Sequence, residues 1–589
     1  MNLLLLCATL LALLSGPLLF GAARQRPAVL AYLDGFVLVA ISGLVLLEVM
    51  PDTLLGGGPA SLGFLLLGAL GPSLLEHQLQ HARRAHVAAL VLAMVGLVLH
   101  SVADGTALAP QPGLGDEPNL ALALAIAVHS VPVGLMVWWL LYPVFGAVFP
   151  ALAIGGMCLG TITGYAFAGT VGGWLGATGW AWLQALVAGS ILHVVFGRPH
   201  LGDTSAHRIA RPPFEGLGNL SALGALLILE TLHPAGHQGH PGMLDRLLDL
   251  SRLLAPALLL AWVGGSGWRH ATRREPAPRS RIGGALAGLL RAEPDAPLHA
   301  HLLRTNAGIP LPGSLAWLAG ASLLGLSTAL LSLPLLGWRI AVARAGAALV
   351  LTLLVGGALG WLFRRTPVRV FRPLPPAAAR LTPMAPVAAP LSVPPPPPRS
   401  TVRDELLSRV DREAPSLLAG LLFAAIAAPW LSMAPWAALP SWTLVVLSTL
   451  LGAVLGRNAL AVTPIGAVLL GAGLPPAAVL GLVLAGPLLD PTLLIGLARL
   501  HGRNLAAAMA VLGLIGSLGA AFAVQHYGLP LLPAQSPGAG SGSATITNLQ
   551  TLPLLGVLLL TAHSLLRRGG RQFFGSFLQY ASHRHDHDC

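Results

Sequence analysis

Uninterrupted apolar stretches, each about 20 residues long, recur from one end of the chain to the other, and they restrict its folding more than any other feature. A stretch of that length spans the hydrocarbon of a bilayer. Inside lipid every backbone N–H and C=O must be satisfied by the segment or its partners, which leaves helices and closed barrels. Barrel strands alternate in polarity over about ten residues. These stretches do not alternate, so they are read as helices. Charge agrees. Only 10% of the 589 residues are charged, against roughly 25% in soluble domains. The expected fold class is therefore all-α, a polytopic transmembrane helical protein.

The formal charge of +12 does not point to nucleic acid. The sequence contains no lysine, and its arginines gather in short clusters between the apolar stretches, as cytoplasmic loops require. Residues 3–20 lack a basic start and a small-residue cleavage site, and are read as a first span rather than a leader. Further spans are expected near 29–50, 59–76, 86–109, 119–142, 146–168, 175–197 and 216–232. The basic loops place the N-terminus outside. A ninth span is expected at 250–268, then spans at 312–335, 340–363, 417–437, 440–456, 476–499, 504–525 and 551–567. The three cysteines, Cys7, Cys158 and Cys589, are too far apart to suggest a disulfide framework or a CxxC metal site. No GxxxxGK[ST] motif is present, so coupling to ATP within this chain is not expected.

The second half contains a repeat. The first copy starts at Ala296 and the second at Thr463, with Pro297 opposite Pro464, Gly308 opposite Gly473, Pro310 opposite Pro475 and Gly337 opposite Gly502. Duplicated halves with helices broken at Gly and Pro are a signature of transporters, and the breaks point to the binding site. The expected organisation is a first unit over 1–235, a connector with one span over 236–282, and repeat one over 283–363. A Pro/Arg-rich cytoplasmic linker over 364–414, repeat two over 415–567 and a histidine-containing tail over 568–589 follow.

Two motifs carry ligating chemistry. His100-Ser101-Val102-Ala103-Asp104-Gly105 places His100 and Asp104 four residues apart, on one helical face. His129-Ser130-Val131-Pro132-Val133-Gly134 follows in the next span, where Pro132 removes a backbone hydrogen bond and is expected to open the helix just past His129. Two imidazoles and a carboxylate suit Zn²⁺, Fe²⁺ or Mn²⁺. A buried structural pair of His100 and Asp104 is the competing reading. Glu48 and His193 are candidate additional ligands, with Asp52 at the mouth. Histidines 77, 81 and 86, histidines 233, 237 and 240, and the tail HRHDHDC are candidate surface sites of metal capture. Asp490, between Pro487 and Pro491, either lines a cavity at a broken helix or caps the helix that follows.

HSVADG resembles the HNxxDG motif of ZIP-type metal transporters, and HSVPVG resembles the HExPxE or QDxPEG motif of their next helix. ISGLVLLEVMPDTL (41–54) and QALVAGSILHVVF (184–196) look like two further helices of that family. The resemblance covers about 1–235 and implies an eight-helix metal-transport unit. Ser101, Ser130 and Val133 stand where that family has Asn, an acidic residue and a carboxylate. The resemblance then implies a single metal position built on His100, Asp104 and His129. The C-terminal half resembles the predicted permeases related to bacterial arsenical exporters. This rests on LAGPLLDPTLLIG, with Gly486, Pro487, Asp490 and Pro491, and on LLGWRIAVARAGAAL (335–349). The cysteine-containing turn of the arsenical exporters is absent. The resemblance implies a substrate path past Pro487, Asp490 and Pro491.

The combined expectation is an integral membrane transporter, not an enzyme, of the bacterial inner membrane type. It moves a divalent metal through the first unit and carries a fused permease unit. It needs no cofactor, and its partners are lipid, the metal ion and a second copy of the chain, with no nucleic acid. The alternatives are a permease for another small ion or metalloid, or a membrane sensor or scaffold that binds metal without moving it.

Overall fold

The computed structural model describes residues 2–23, 26–46, 50–79, 94–102, 104–106, 108–109, 120–167, scattered residues of 176–192, 212–232, 243–272, 280–290, 297–363, 401–433, 436–456, 458–527 and 544–578. Among them the structure is helices and turns only, as the apolar stretches require. Among the described residues six helices, Leu3–Ala22, Val148–Ala166, Arg246–Ala271, Leu311–Leu336, Trp338–Leu362 and Arg503–His526, are long and apolar enough to cross a membrane. A bent pair, Pro476–Leu488 with Pro491–His501, makes a seventh. The protein is an all-α, multi-pass membrane protein. Large apolar side chains point outward, Val454 at 83% exposure and Leu18 at 76% among them, where lipid rather than water would meet them.

The chain forms two compact units. The first comprises residues 1–248, 425–430 and 559–589. Its described helices include α1 (Asn2–Ala23), α2 (Pro27–Leu44), α3 (Met50–Gly57), α4 (Pro59–Leu79), α5 (Leu120–Phe145), α6 (Val148–Ala166) and α7 (Pro212–Leu232). Lipid is as apolar as leucine, so these helices associate by close packing of small residues rather than by escape from water. A Cβ on Gly134 would collide with the Leu13 carbonyl oxygen, so α1 and α5 touch backbone to backbone. Around this crossing Leu38, Leu97, Leu135, Val137, Ile154 and Met157 are buried. The helix α5 runs without a break through Pro132, which corrects the opening expected past His129. Membrane helices tolerate proline because neighbours and small local adjustments satisfy the freed carbonyl.

The second unit comprises residues 249–424 and 431–558. It is entered through α8 (Met243–Thr272). Repeat one follows as α9 (Arg281–Leu289), α10 (Pro297–Asn306), α11 (Leu311–Leu323), α12 (Gly325–Leu336) and α13 (Trp338–Leu362). The helix α14 (Val402–Met433) begins within the segment read as linker, with Thr401 and Asp404 capping it reciprocally. Repeat two is α15 (Ser441–Leu455), α16 (Ala459–Gly471), α17 (Pro476–Leu488), α18 (Pro491–His501) and α19 (Arg503–His526); α20 (Ala544–Arg568) leads out of the unit. The final helix, α21 (Gly570–Leu578), belongs to the first unit.

The two repeats agree in backbone detail. The helices α11 and α17 have 13 residues each, and α13 and α19 have 25 and 24. The turn before each 13-residue helix is the same. Ile309 N–H donates to the Arg304 carbonyl as Leu474 N–H does to Leu469, and Pro310 and Pro475 begin the next helix at φ −55° and −57°. The glycines before the long helices, Gly337 (φ 81°, ψ 155°) and Gly502 (φ 94°, ψ 158°), occupy a region open essentially to glycine alone. The spans expected at 312–335 and 476–499 are both divided. The first is interrupted at Leu324 and Gly325, whose φ is 64°, and the second is bent by 40° around Leu489 and Asp490.

Candidate functional site at the junction of the repeats

In the first unit, His100 Nε2 lies 3.6 Å from Asp104 Oδ1, one turn apart and both partly buried. The serines of the two motifs bond within their own helices, and the glycines serve packing. Ser101 Oγ donates to the Leu97 carbonyl (2.9 Å) and Ser130 Oγ to the Ile126 carbonyl (2.6 Å). Gly105 meets the Thr161 carbonyl of α6 as closely as Gly134 meets that of Leu13. The side chains of Glu48, Asp52 and His129, all of His193, and the candidate capture histidines lie outside the described residues. No group of three or more His, Cys, Asp or Glu side chains able to hold a metal ion occurs among the described residues.

In the second unit, Asp490 is the N-cap of α18. Its Oδ1 accepts from Thr492 N (2.8 Å) and from the Thr492 hydroxyl. Pro491 takes the first helical position, where its missing N–H costs nothing. Pro487 is buried in the last turn of α17. These three residues thus make the bend between α17 and α18.

The polar centre of the unit lies elsewhere. Arg344, six residues into α13, is fully buried on the face formed by Ile340, Ala341, Ala348 and Leu351. Its Nη1 donates to Ser332 Oγ of α12 (3.0 Å) and to Thr463 Oγ1 of α16 (2.8 Å). Its Nη2 makes a long contact of 3.4 Å with the Leu323 carbonyl, at the end of α11. Both hydroxyls already give their hydrogens to carbonyls one turn back, Thr328 for Ser332 and Ala459 for Thr463, which turns their lone pairs toward the guanidinium. One cation therefore ties the broken helix of repeat one to α16 of repeat two. A buried charge is costly unless paired, yet no carboxylate pairs with Arg344 among the described residues. Sequence reasoning passed over Arg344 inside LLGWRIAVARAGAAL. The available signal was an arginine within an apolar span, which by default marks a functional position. Arg339, the other arginine of that span, lies over the Trp338 ring at 5.4 Å near the helix start.

A second junction joins α10 to α18. His301 Nε2 and His501 Nε2 are 2.9 Å apart, and His301 Nδ1 is 2.7 Å from Ser314 Oγ. Beside it Arg304 stands over the Trp317 ring at 5.0 Å. Other charges of the unit are paired. Arg409 and Glu413 approach to 3.6 Å, Arg269 and Glu405 to 3.9 Å, and Trp262 Nε1 donates to Glu413 (2.9 Å).

Residues 295–525, which run from α10 through α19 and stop one residue short of its end, match a family model described as Predicted permease (ArsP_1). The match covers less than half of the chain, and it spans both repeats and both polar junctions. Comparison with curated proteins returned no match, and comparison with solved structures returned none either.

Proposed function

We propose that this chain is a solute transporter of a bacterial inner membrane, with its translocation path in the second unit where the two repeats meet. The observation that carries the reading is the contact of Arg344 with both Ser332 and Thr463. It sets a buried polar group at the junction of duplicated, broken helices, the place where transporters of duplicated architecture bind substrate. The similarity of 295–525 to predicted permeases supports the same unit. The test is flux through vesicles containing the purified full chain. Ser332→Leu with Thr463→Leu should abolish it while the protein remains monodisperse and helical. Unchanged flux in that double variant would place the path elsewhere.

A second reading rests on the pair of His100 and Asp104 in the first unit. It has a divalent cation of the Zn²⁺, Fe²⁺ or Mn²⁺ type pass there, with His129, Glu48 and His193 as further ligands, or bind there without passing. Metal uptake into vesicles that is unchanged by His100→Ala with Asp104→Ala would remove the transport version. Calorimetry on the same double variant decides the binding version.

A further inference from the structure

We infer that the open edge of the Arg344 guanidinium is the anion-binding element of the permease unit, and that its ligand is a small oxyanion presenting two oxygens side by side, a carboxylate or an inorganic oxyanion. The inference rests on the reading of the second unit as the permease and names its substrate class.

An arginine offers five N–H donors in a rigid fork. On Arg344, Nη1 is committed to Ser332 and Thr463. The Nε and Nη2 donors share the opposite edge of the plane. Among the described residues Nε is buried without a partner, and Nη2 has only the 3.4 Å contact with the Leu323 carbonyl. That edge is the one that takes carboxylates and phosphates with two parallel hydrogen bonds. The same chain shows it filled elsewhere, where Arg571 donates from Nε to Asp34 Oδ2 (2.8 Å) and from Nη2 to Asp34 Oδ1 (2.7 Å). Among the described residues, the groups that meet Arg344 are hydroxyls and a carbonyl, all neutral. A permanent charge held in a dry interior without a counter-charge is stabilised most by a ligand that brings one. The Leu323 carbonyl belongs to the interrupted helix of repeat one, so an oxyanion on this edge would compete with that carbonyl and bear on the break itself. A divalent cation is repelled by the same charge, which separates this site from the His100 and Asp104 pair.

Two measurements on the detergent-purified full chain test this. The first is calorimetric and thermal-shift titration with sodium methylphosphonate, phosphate and benzoate, with chloride and tetramethylammonium as controls. At least one oxyanion should bind the wild type, Arg344→Lys should weaken it about tenfold by losing the second parallel bond, and Arg344→Met should abolish it. Arg344→Met is a fair test of folding as well, because an apolar residue of similar length often replaces a buried charge without loss of stability. The inference is overturned if none of the oxyanions binds the wild type at millimolar concentration, whatever the variants do, or if Arg344→Met binds as well as wild type. The second is flux of the bound oxyanion in vesicles. Binding without flux would keep the anion site and remove the transporter reading. Flux of an uncharged solute that Arg344→Met leaves intact, with no oxyanion binding, would keep the transporter and overturn the anion site.

Discussion

His301 of the first repeat and His501 of the second meet ring nitrogen to ring nitrogen at 2.9 Å. One imidazole must donate and the other accept. In the register of the shared turn, where Arg304 stands opposite Leu469, the corresponding positions are Gly466 and Leu336, which approach through apolar groups, a Cβ on Gly466 lying 3.9 Å from Leu336 Cδ2. One end of the duplicated unit is therefore closed by a hydrogen bond and the other by apolar contact. A double-mutant cycle of His301→Ala and His501→Leu, followed by unfolding of the full chain in detergent, should give a coupling of about 1 kcal/mol. Additive effects would mean that the rings only fill space.

The glycines ahead of the long helices give a sharper expectation. Gly337 and Gly502 combine positive φ with ψ near 155°, so alanine at either position should cost about 1–3 kcal/mol. Nothing lies within 4 Å of a Cβ on Gly502, so the penalty there is backbone strain alone. Gly21 is the control. It is helical, exposed, and also has open space around a Cβ, and alanine there should be neutral or gain up to about 1 kcal/mol. Thermal unfolding of the three single variants separates the cases.

What the sequence discloses and what it hides follow from the same physics. Apolar runs locate α6, α13, α15 and α19 to within a few residues, because a bilayer demands length and nothing subtler. The repeat is visible through Gly308, Pro310 and Gly337 because those backbones admit few residue types. Helix breaks are harder to see. Leu324 and Gly325 interrupt an apolar run whose composition is unchanged across the break, so it reads as one span. Pro132 does the reverse, announcing a break that packing against neighbours removes. The partners of Arg344 are least legible. Ser332 and Thr463 stand 131 positions apart in sequence and are brought together only by the docking of one repeat on the other.

The sequence allows Asp490 either to line a cavity or to cap a helix, and the capping contacts to Thr492 are present. Asp490→Ala should lower stability by about 0.5–2 kcal/mol, and Asp490→Ser should restore most of it, since serine caps nearly as well. Vesicle flux separates the two roles. If Asp490 acts only as a cap, Asp490→Ser carries solute at the wild-type rate. A stable Asp490→Ser protein with no flux would return the carboxylate to the substrate path.

The ion pair of Arg571 and Asp34 predicts what a filled guanidinium fork contributes. Burial draws the Arg571 guanidinium toward its neutral form, but the carboxylates of Asp34 and Glu215 outweigh it and hold the group above its ordinary pKa. Arg571 N–H also donates to Glu215 Oε1 (2.7 Å), a backbone bond that side-chain substitution spares. The two side chains are mostly buried, so removing either one strands a charge. Asp34→Ala and Arg571→Ala should each cost about 2–3 kcal/mol. The double variant should cost less than the sum, because the second substitution removes the stranded charge. Arg571→Lys keeps the charge and loses the second parallel bond, so it should fall between wild type and Arg571→Ala. Arg344→Ala should behave differently, as it strands no carboxylate. If Arg344→Ala also proves costly in the absence of any anion, the loss will be traced to the hydroxyls of Ser332 and Thr463, and Arg344→Ala with Ser332→Ala and Thr463→Val should recover part of it.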